Sequence, residues 1–211
     1  MLTVAKLPPL SAIPDALKPT LAEILGREGT RFEIDPDDPG GATRCGIDLR
    51  SARAARLDLN GDGRTDLNDI RDVTPDLADR LILLNYCLTP GVDKLPAPVQ
   101  PVILDTTFNC GVEGATQVLH AALGELSFPA LARVPLSGCA GLLTAAIQAH
   151  GAATTIDTIV RARVTHYRRI ATRRPASSKY LNGWVLRALH YASHGMRLRY
   201  ATLLGSHGET P

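Results

Sequence analysis

The chain predicts a mainly α fold with long C-terminal helices and at most a small β-hairpin. Three observations predict it. Apolar residues recur at helical spacing through most of the 211 residues, no stretch alternates convincingly with period two, and helix-start and helix-stop residues punctuate the periodic stretches. A 45% hydrophobic content with 23 Lys+Arg against 21 Asp+Glu describes a folded chain that buries a sizeable core.

Residues 1–13 read as an extended, proline-marked arm. Pro14-Asp15 opens a helix with Leu17, Leu21, Ile24 and Leu25 on one face, ending near Glu28-Gly29. An acidic, Pro/Gly-rich loop follows to Ile47. A small hairpin is allowed only near Arg31–Ile34 and Gly46–Leu49. Residues 48–57 are helix-prone. Thr74 caps a helix with Pro75 at its first position and Leu77, Leu81 and Leu84 along it. Pro96–Cys110 predicts a central helix with a non-helical start, bent or stopped by Gly111. Residues 113–124 are helical again, and Leu142–Ala149 forms a short helix. Residues 153–173 and 178–204 read as two long amphipathic segments. The expected division is a catalytic region over 1–125 and a helical portion over 126–211, packed as one globular unit.

Several function classes are excluded or disfavoured. A formal net charge of +2 argues against nucleic acid as a partner. No stretch approaches 18 apolar residues, so no membrane-spanning helix is expected. The four cysteines (Cys45, Cys87, Cys110, Cys139) form no CxxC pair and read as buried thiols, with up to two disulfides in an oxidising compartment as the alternative. Nothing calls for an organic cofactor, and a monomer is expected. The N-terminus does not read as a secretory signal.

Chemistry concentrates in two places. Around Glu28, a carboxyl closes a helix, where the dipole disfavours its ionised form, which suits a proton donor. Asp37 and Asp38 lie nine and ten residues later in a turn-rich loop, and Thr43 offers a hydroxyl to a water. Two carboxyl groups flanking one bond are what glycoside hydrolysis requires. The competing reading is an ordinary surface loop whose aspartates cap turns. The second place is Asp58–Asp69. Asp58, Asn60, Asp62, the Arg64 carbonyl, Asp66 and Asp69 occupy positions 1, 3, 5, 7, 9 and 12 of a twelve-residue calcium loop, with Gly63 at the sixth. A structural Ca2+ is expected there, against an acidic solvated turn as the alternative. Asp105, Asn109 and Tyr86 are weaker candidates for substrate contact.

The first stretch resembles the glycoside hydrolase family 108 lysozymes, the phage endolysin-like N-acetylmuramidases. Glu28-Gly29, Asp35-Pro-Asp37-Asp38-Pro-Gly-Gly-Ala-Thr43 and Gly46-Ile47 carry the resemblance. Leu104-Asp105-Thr-Thr-Phe108-Asn109-Cys-Gly111 is similar to a downstream element of the family. Leu181-Asn-Gly183-Trp184-Val-Leu-Arg187 is similar to its C-terminal peptidoglycan-binding portion. The Glu28, Asp37 and Thr43 spacing also resembles the acid, aspartate and threonine triad of phage lysozymes. The resemblance implies Glu28 as the acid that cuts the MurNAc–GlcNAc β-1,4 bond of peptidoglycan. Spacing favours Asp37 as its partner and the family pattern favours Asp38. Thr30 and Arg31 depart from the family's Gly-Tyr. The calcium loop resembles EF-hand and dockerin loops. The implied protein is made in the cytoplasm, acts on the cell wall or periplasm, and is delivered with a holin or a secretion apparatus. The rival readings are a non-catalytic peptidoglycan-binding or export-helper protein and a calcium-dependent interaction module.

Overall fold

The computed structural model describes all residues except 35–40, 130–132 and 206–211, and no side chain from 201 onward. The fold is mainly α with one small three-stranded sheet. It divides into two compact units, Met1–Thr89 and Pro90–Pro211. The division falls upstream of the boundary expected at residue 125, because the central helix packs along a C-terminal one and so belongs to unit 2.

In unit 1 the N-terminal arm is not simply extended. It forms three short 3-10 turns (Val4–Lys6, Leu10–Ala12, Asp15–Leu17). Arg80 holds the arm by donating to the carbonyls of Pro8 (2.8 Å), Val4 (2.8 Å) and Leu7 (3.1 Å). A proline-rich arm has free carbonyls to offer, and a guanidinium has the donors to collect them. Helix α1 (Lys18–Glu28) buries Leu21 and Ile24, with Leu17 just before it on the same stripe, and packs on α4 (Pro75–Ile82). Thr74 caps α4 through its hydroxyl, as its sequence predicts, and the helix runs on into a π-helical segment, Leu83–Leu88.

Strands β1 (Glu33–Ile34), β2 (Ala42–Arg44) and β3 (Ile47–Asp48) form an antiparallel sheet in that order. The β2–β3 turn is Cys45-Gly46, both with positive φ (52° and 75°), the backbone signature of a two-residue hairpin loop. Helices α2 (Leu49–Ala54) and α3 (Leu67–Asp72) flank the segment that begins the Asp58–Asp69 loop, and α3 packs against β2.

In unit 2, α5 (Gln100–Glu125) lies along α7 (Ala152–Arg173), which also packs against α6 (Ala140–His150) and α8 (Leu181–Leu189). The bend expected at Gly111 is present, with φ 71° and ψ 167°. That region of backbone space is essentially reserved for glycine. A Cβ at Gly111 would meet nothing within 4 Å, so Gly111→Ala is penalised by conformation alone. A loss of about 1–3 kcal/mol is expected from urea denaturation. The segment 178–204 is not one long helix. It breaks into α8 and α9 (His194–Gly205), because Ser193 caps α9 through its hydroxyl and is itself held by Asp157 (2.7 and 2.6 Å).

Candidate active site

Glu28 is the last residue of α1 and is exposed to solvent. The helix ends there because Gly29 turns the chain with φ 73° and ψ 172° while its N–H closes on the Leu25 carbonyl. Glu28 follows the buried Ile24 by four residues, on the same side of the helix, and is exposed at the helix end. The chain then enters β1. Asp37 and Asp38 lie outside the described residues.

Thr43 is the middle residue of the middle strand and half-buried. It stands opposite Glu33 of β1 on one side and Asp48 of β3 on the other. Directly paired residues of antiparallel strands project from the same face, with Cβ atoms about 4.5–5.5 Å apart. Thr43 is thus flanked by two carboxylates across one face of the sheet. The other face carries Ile34, Ala42, Arg44 and Ile47, of which Ala42 and Ile47 are buried. Arg44 donates to the Arg71 carbonyl, and the Arg71 guanidinium lies 5.2 Å from the centre of the Phe32 ring.

Tyr86 sits half-buried in the π-helical segment. Burial pushes its hydroxyl pKa up, and the negative charges of Asp48 and then Glu28 push it further. The hydroxyl therefore stays protonated at neutral pH, as a donor. Glu28, Thr43, Asp48 and Tyr86 all belong to unit 1.

Asp105 and Asn109 belong to unit 2, one helical turn apart on α5. Asp105 has 0% exposure; its carboxylate accepts from Arg163 Nη2 (2.7 Å) and Arg187 Nε (3.0 and 3.2 Å) and is ion-paired with Arg187 Nη2 at 2.9 Å. Burial works against its ionised form, but the two guanidiniums outweigh it and hold the carboxyl below the usual range. Arg163 Nε donates to the Tyr167 hydroxyl (2.7 Å), which donates to Asn109 Oδ1. This ties α5, α7 and α8 together and gives Asp105 a structural task. Arg163 is one of several arginines in the stretch 161–174. It is buried, whereas Arg161, Arg168, Arg169, Arg173 and Arg174 are exposed. Tyr167, Trp184 and Tyr180 form a row of tilted rings, 5.4 and 5.9 Å between centroids, running from buried Tyr167 to Tyr180 at 53% exposure.

The Asp58–Asp69 loop is ordered by its own backbone. Asp58 accepts from the N–H groups of Gly61 (2.7 Å) and Gly63 (3.2 Å), Asn60 from Asp62 (3.0 Å) and Asp62 from Arg64 (2.8 Å). Asp69 accepts from Leu59 (2.7 Å) and Asp66 (2.8 Å), and Asp66 caps α3 through Asn68. Asp58 is 5% exposed and Asp69 0%. Among the described residues, no three acidic, histidine or cysteine side chains gather closely enough to hold an ion.

Sequence reasoning missed Asp48, Arg163 and Tyr167. Asp48 read as the start of a helix-prone stretch, which it is, and only strand register sets it against Thr43. The i, i+4 spacing of Arg163 and Tyr167 was the available signal for the polar cluster. The four cysteines are free thiols, three buried and Cys110 half-buried.

Residues 21–111 match a family model described as Glycosyl hydrolase 108. The chain is also similar to the structure of Brucella abortus SagA, at 25% identity and a TM-score of 0.56, over 83% of this chain and 97% of that one. No curated protein matches the sequence. The matched stretch carries Glu28, Thr43, Asp48, Tyr86, Asp105 and Asn109, and supports a glycoside hydrolase.

Proposed function

We propose that the protein is a muramidase that hydrolyses the MurNAc–GlcNAc β-1,4 bond of peptidoglycan. The observation that carries the reading is the position of Glu28. It is an exposed carboxyl at the end of α1, inside the stretch that matches a glycosyl hydrolase family.

In this reading Glu28 gives its proton to the glycosidic oxygen as the C1–O bond breaks. Positive charge develops at C1 and the ring oxygen, and a water oxygen then bonds to C1. Asp37 or Asp38 takes the proton from that water, or stabilises the positive charge while the ionised Glu28 takes the proton back, and Thr43 orients the water through its hydroxyl. The Tyr86 hydroxyl donates to a sugar oxygen. Asp105 and Asn109 keep α5 in place within unit 2 through Arg163, Arg187 and Tyr167. The test is release of reducing sugar from purified peptidoglycan by the wild type and Glu28→Gln. Release by the wild type alone supports the reading, and equal release by both sinks it.

A second reading has its own observation. The Tyr167, Trp184 and Tyr180 row ends on an exposed face of the kind on which sugars stack. A protein that binds peptidoglycan without cutting it would need only that row. Sedimentation with insoluble peptidoglycan and no sugar release from either variant would favour it.

We also infer a structural Ca2+ held by Asp58, Asn60, Asp62, Asp66, Asp69 and the Arg64 carbonyl. The fit rests on donor chemistry. These are hard oxygens in a tight loop, and the buried carboxylates of Asp58 and Asp69 are met by backbone N–H groups rather than by a side-chain cation. The ion would neutralise them and brace the segment between α2 and α3. An ion present at about 100 times its Kd adds about 2.7 kcal/mol. Excess chelator should therefore lower the Tm by several degrees, restored by Ca2+, and an unchanged Tm would exclude a structural ion.

The site of action in this reading is the cell wall or periplasm, with a holin or a secretion apparatus as the delivery partner and the protein acting as a monomer. No helix among the described residues is long and apolar enough to cross a membrane.

A further inference from the structure

We propose that Asp48 supplies a fixed negative charge to the reaction at Glu28 and Thr43, separately from its capping of α2. The inference rests on the muramidase reading above.

The strand register carries it. Thr43 and Asp48 are direct partners across β2 and β3, so the two side chains stand on one face of the sheet. Glu33 stands on that face on the other side of Thr43, but it is exposed, whereas Asp48 is half-buried. A charge that is partly shielded from water acts more strongly on its surroundings than an exposed one. Thr43 is the hydroxyl that orients the water in the muramidase reading, so a carboxylate across the strand pair from it lies beside that water.

The carboxylate is also held in place. Ser51 donates to it twice, from its N–H to Oδ1 (2.8 Å) and from its hydroxyl to Oδ2 (2.6 Å). Those bonds use one acceptor direction on each oxygen and leave the others open. A charge fixed beforehand does not have to reorganise when positive charge develops on the sugar ring. Asp48 neither gains nor loses a proton in this role, and no bond forms to it. It opposes the positive charge at C1 while Glu28 donates its proton.

Capping and charge can be pulled apart. An N-cap needs an acceptor oxygen rather than a negative charge, and Asn and Ser cap about as well as Asp. Asp48→Asn and Asp48→Ser therefore keep α2 capped and remove the charge. Both are expected to keep the wild-type Tm, to lose about ten-fold or more in kcat on peptidoglycan, and to leave KM within about two-fold, as removal of a transition-state interaction should. Wild-type kcat in either variant, alongside an inactive Glu28→Gln, would leave Asp48 as a cap only and overturn this inference alone. Equal activity of the wild type and Glu28→Gln would overturn the muramidase reading and this inference with it. Having two variants keeps the test decisive if one of them misfolds.

Discussion

Asp105→Ala is expected to cost unit 2 about 3–5 kcal/mol, because it leaves two guanidiniums in the interior without their counter-charge. Arg163 has no exposed surface and the Arg187 side chain is 11% exposed, so neither escapes readily to water. The cost comes from the positive charges stranded by the substitution rather than from the worth of the pair itself. The sequence contains one tryptophan, Trp184, and it stacks on Tyr167 beside this cluster. Its fluorescence through a urea titration reports on this unit. The pH dependence follows from the same contacts. Asp105 has a lowered folded pKa, against about 3.9 for an unfolded aspartate. Its contribution is therefore present above about pH 4 and is lost as pH falls through the folded value. Wild-type stability should decline steeply on acidification below about pH 4. Asp105→Asn, less stable at neutral pH, should lack that component. An equal acid slope in both proteins would refute the assignment.

Glu28→Gln is expected to lower kcat on peptidoglycan by about 10²–10⁴-fold, the usual worth of a positioned general acid. The amide preserves size and polarity but has no proton to give to a leaving oxygen. Glu28 is exposed at a helix end, so the Tm should stay within about 2 °C of wild type, since surface substitutions usually change stability by at most about 0.5 kcal/mol. KM should move little, because the interaction removed is made in the transition state. The measurement is initial-rate kinetics with thermal melts on the same preparations. A fall in kcat matched by a large fall in Tm would point to folding instead of chemistry.

Local signals carried much of this fold. The Leu17, Leu21 and Ile24 stripe located α1, Thr74-Pro75 located the start of α4, and Gly111 located the bend in α5. What remained hidden depends on contacts between residues far apart in sequence. Strand β1 is two residues long, too short to display alternation, and it exists because β2 offers it a partner. The break between α8 and α9 depends on Asp157 reaching Ser193 from another helix. Arg163 is one arginine among several between 161 and 174, and only packing tells the buried one from the exposed ones. The unit boundary depends on which neighbour α5 lies against, which periodicity does not state. At the candidate site, Glu28 and Thr43 were legible from residue type and spacing. Asp48 was not, because register sets it beside Thr43 and register is a property of the paired strands.

Gly111 lets one helix solve two solvation problems. Before it, Val102 to Thr107 are buried without interruption, so that half is enclosed on every side and its polar groups must find partners within the protein. After it, burial narrows to Gly114, Ala115, Val118, Leu119, Ala122 and Leu123, one stripe with water on the opposite side. A straight rod would carry one rotational phase from end to end. The bend resets that phase between the two halves. The enclosed half holds Asp105 against its arginines, and the half-wet half lies down as an ordinary amphipathic helix.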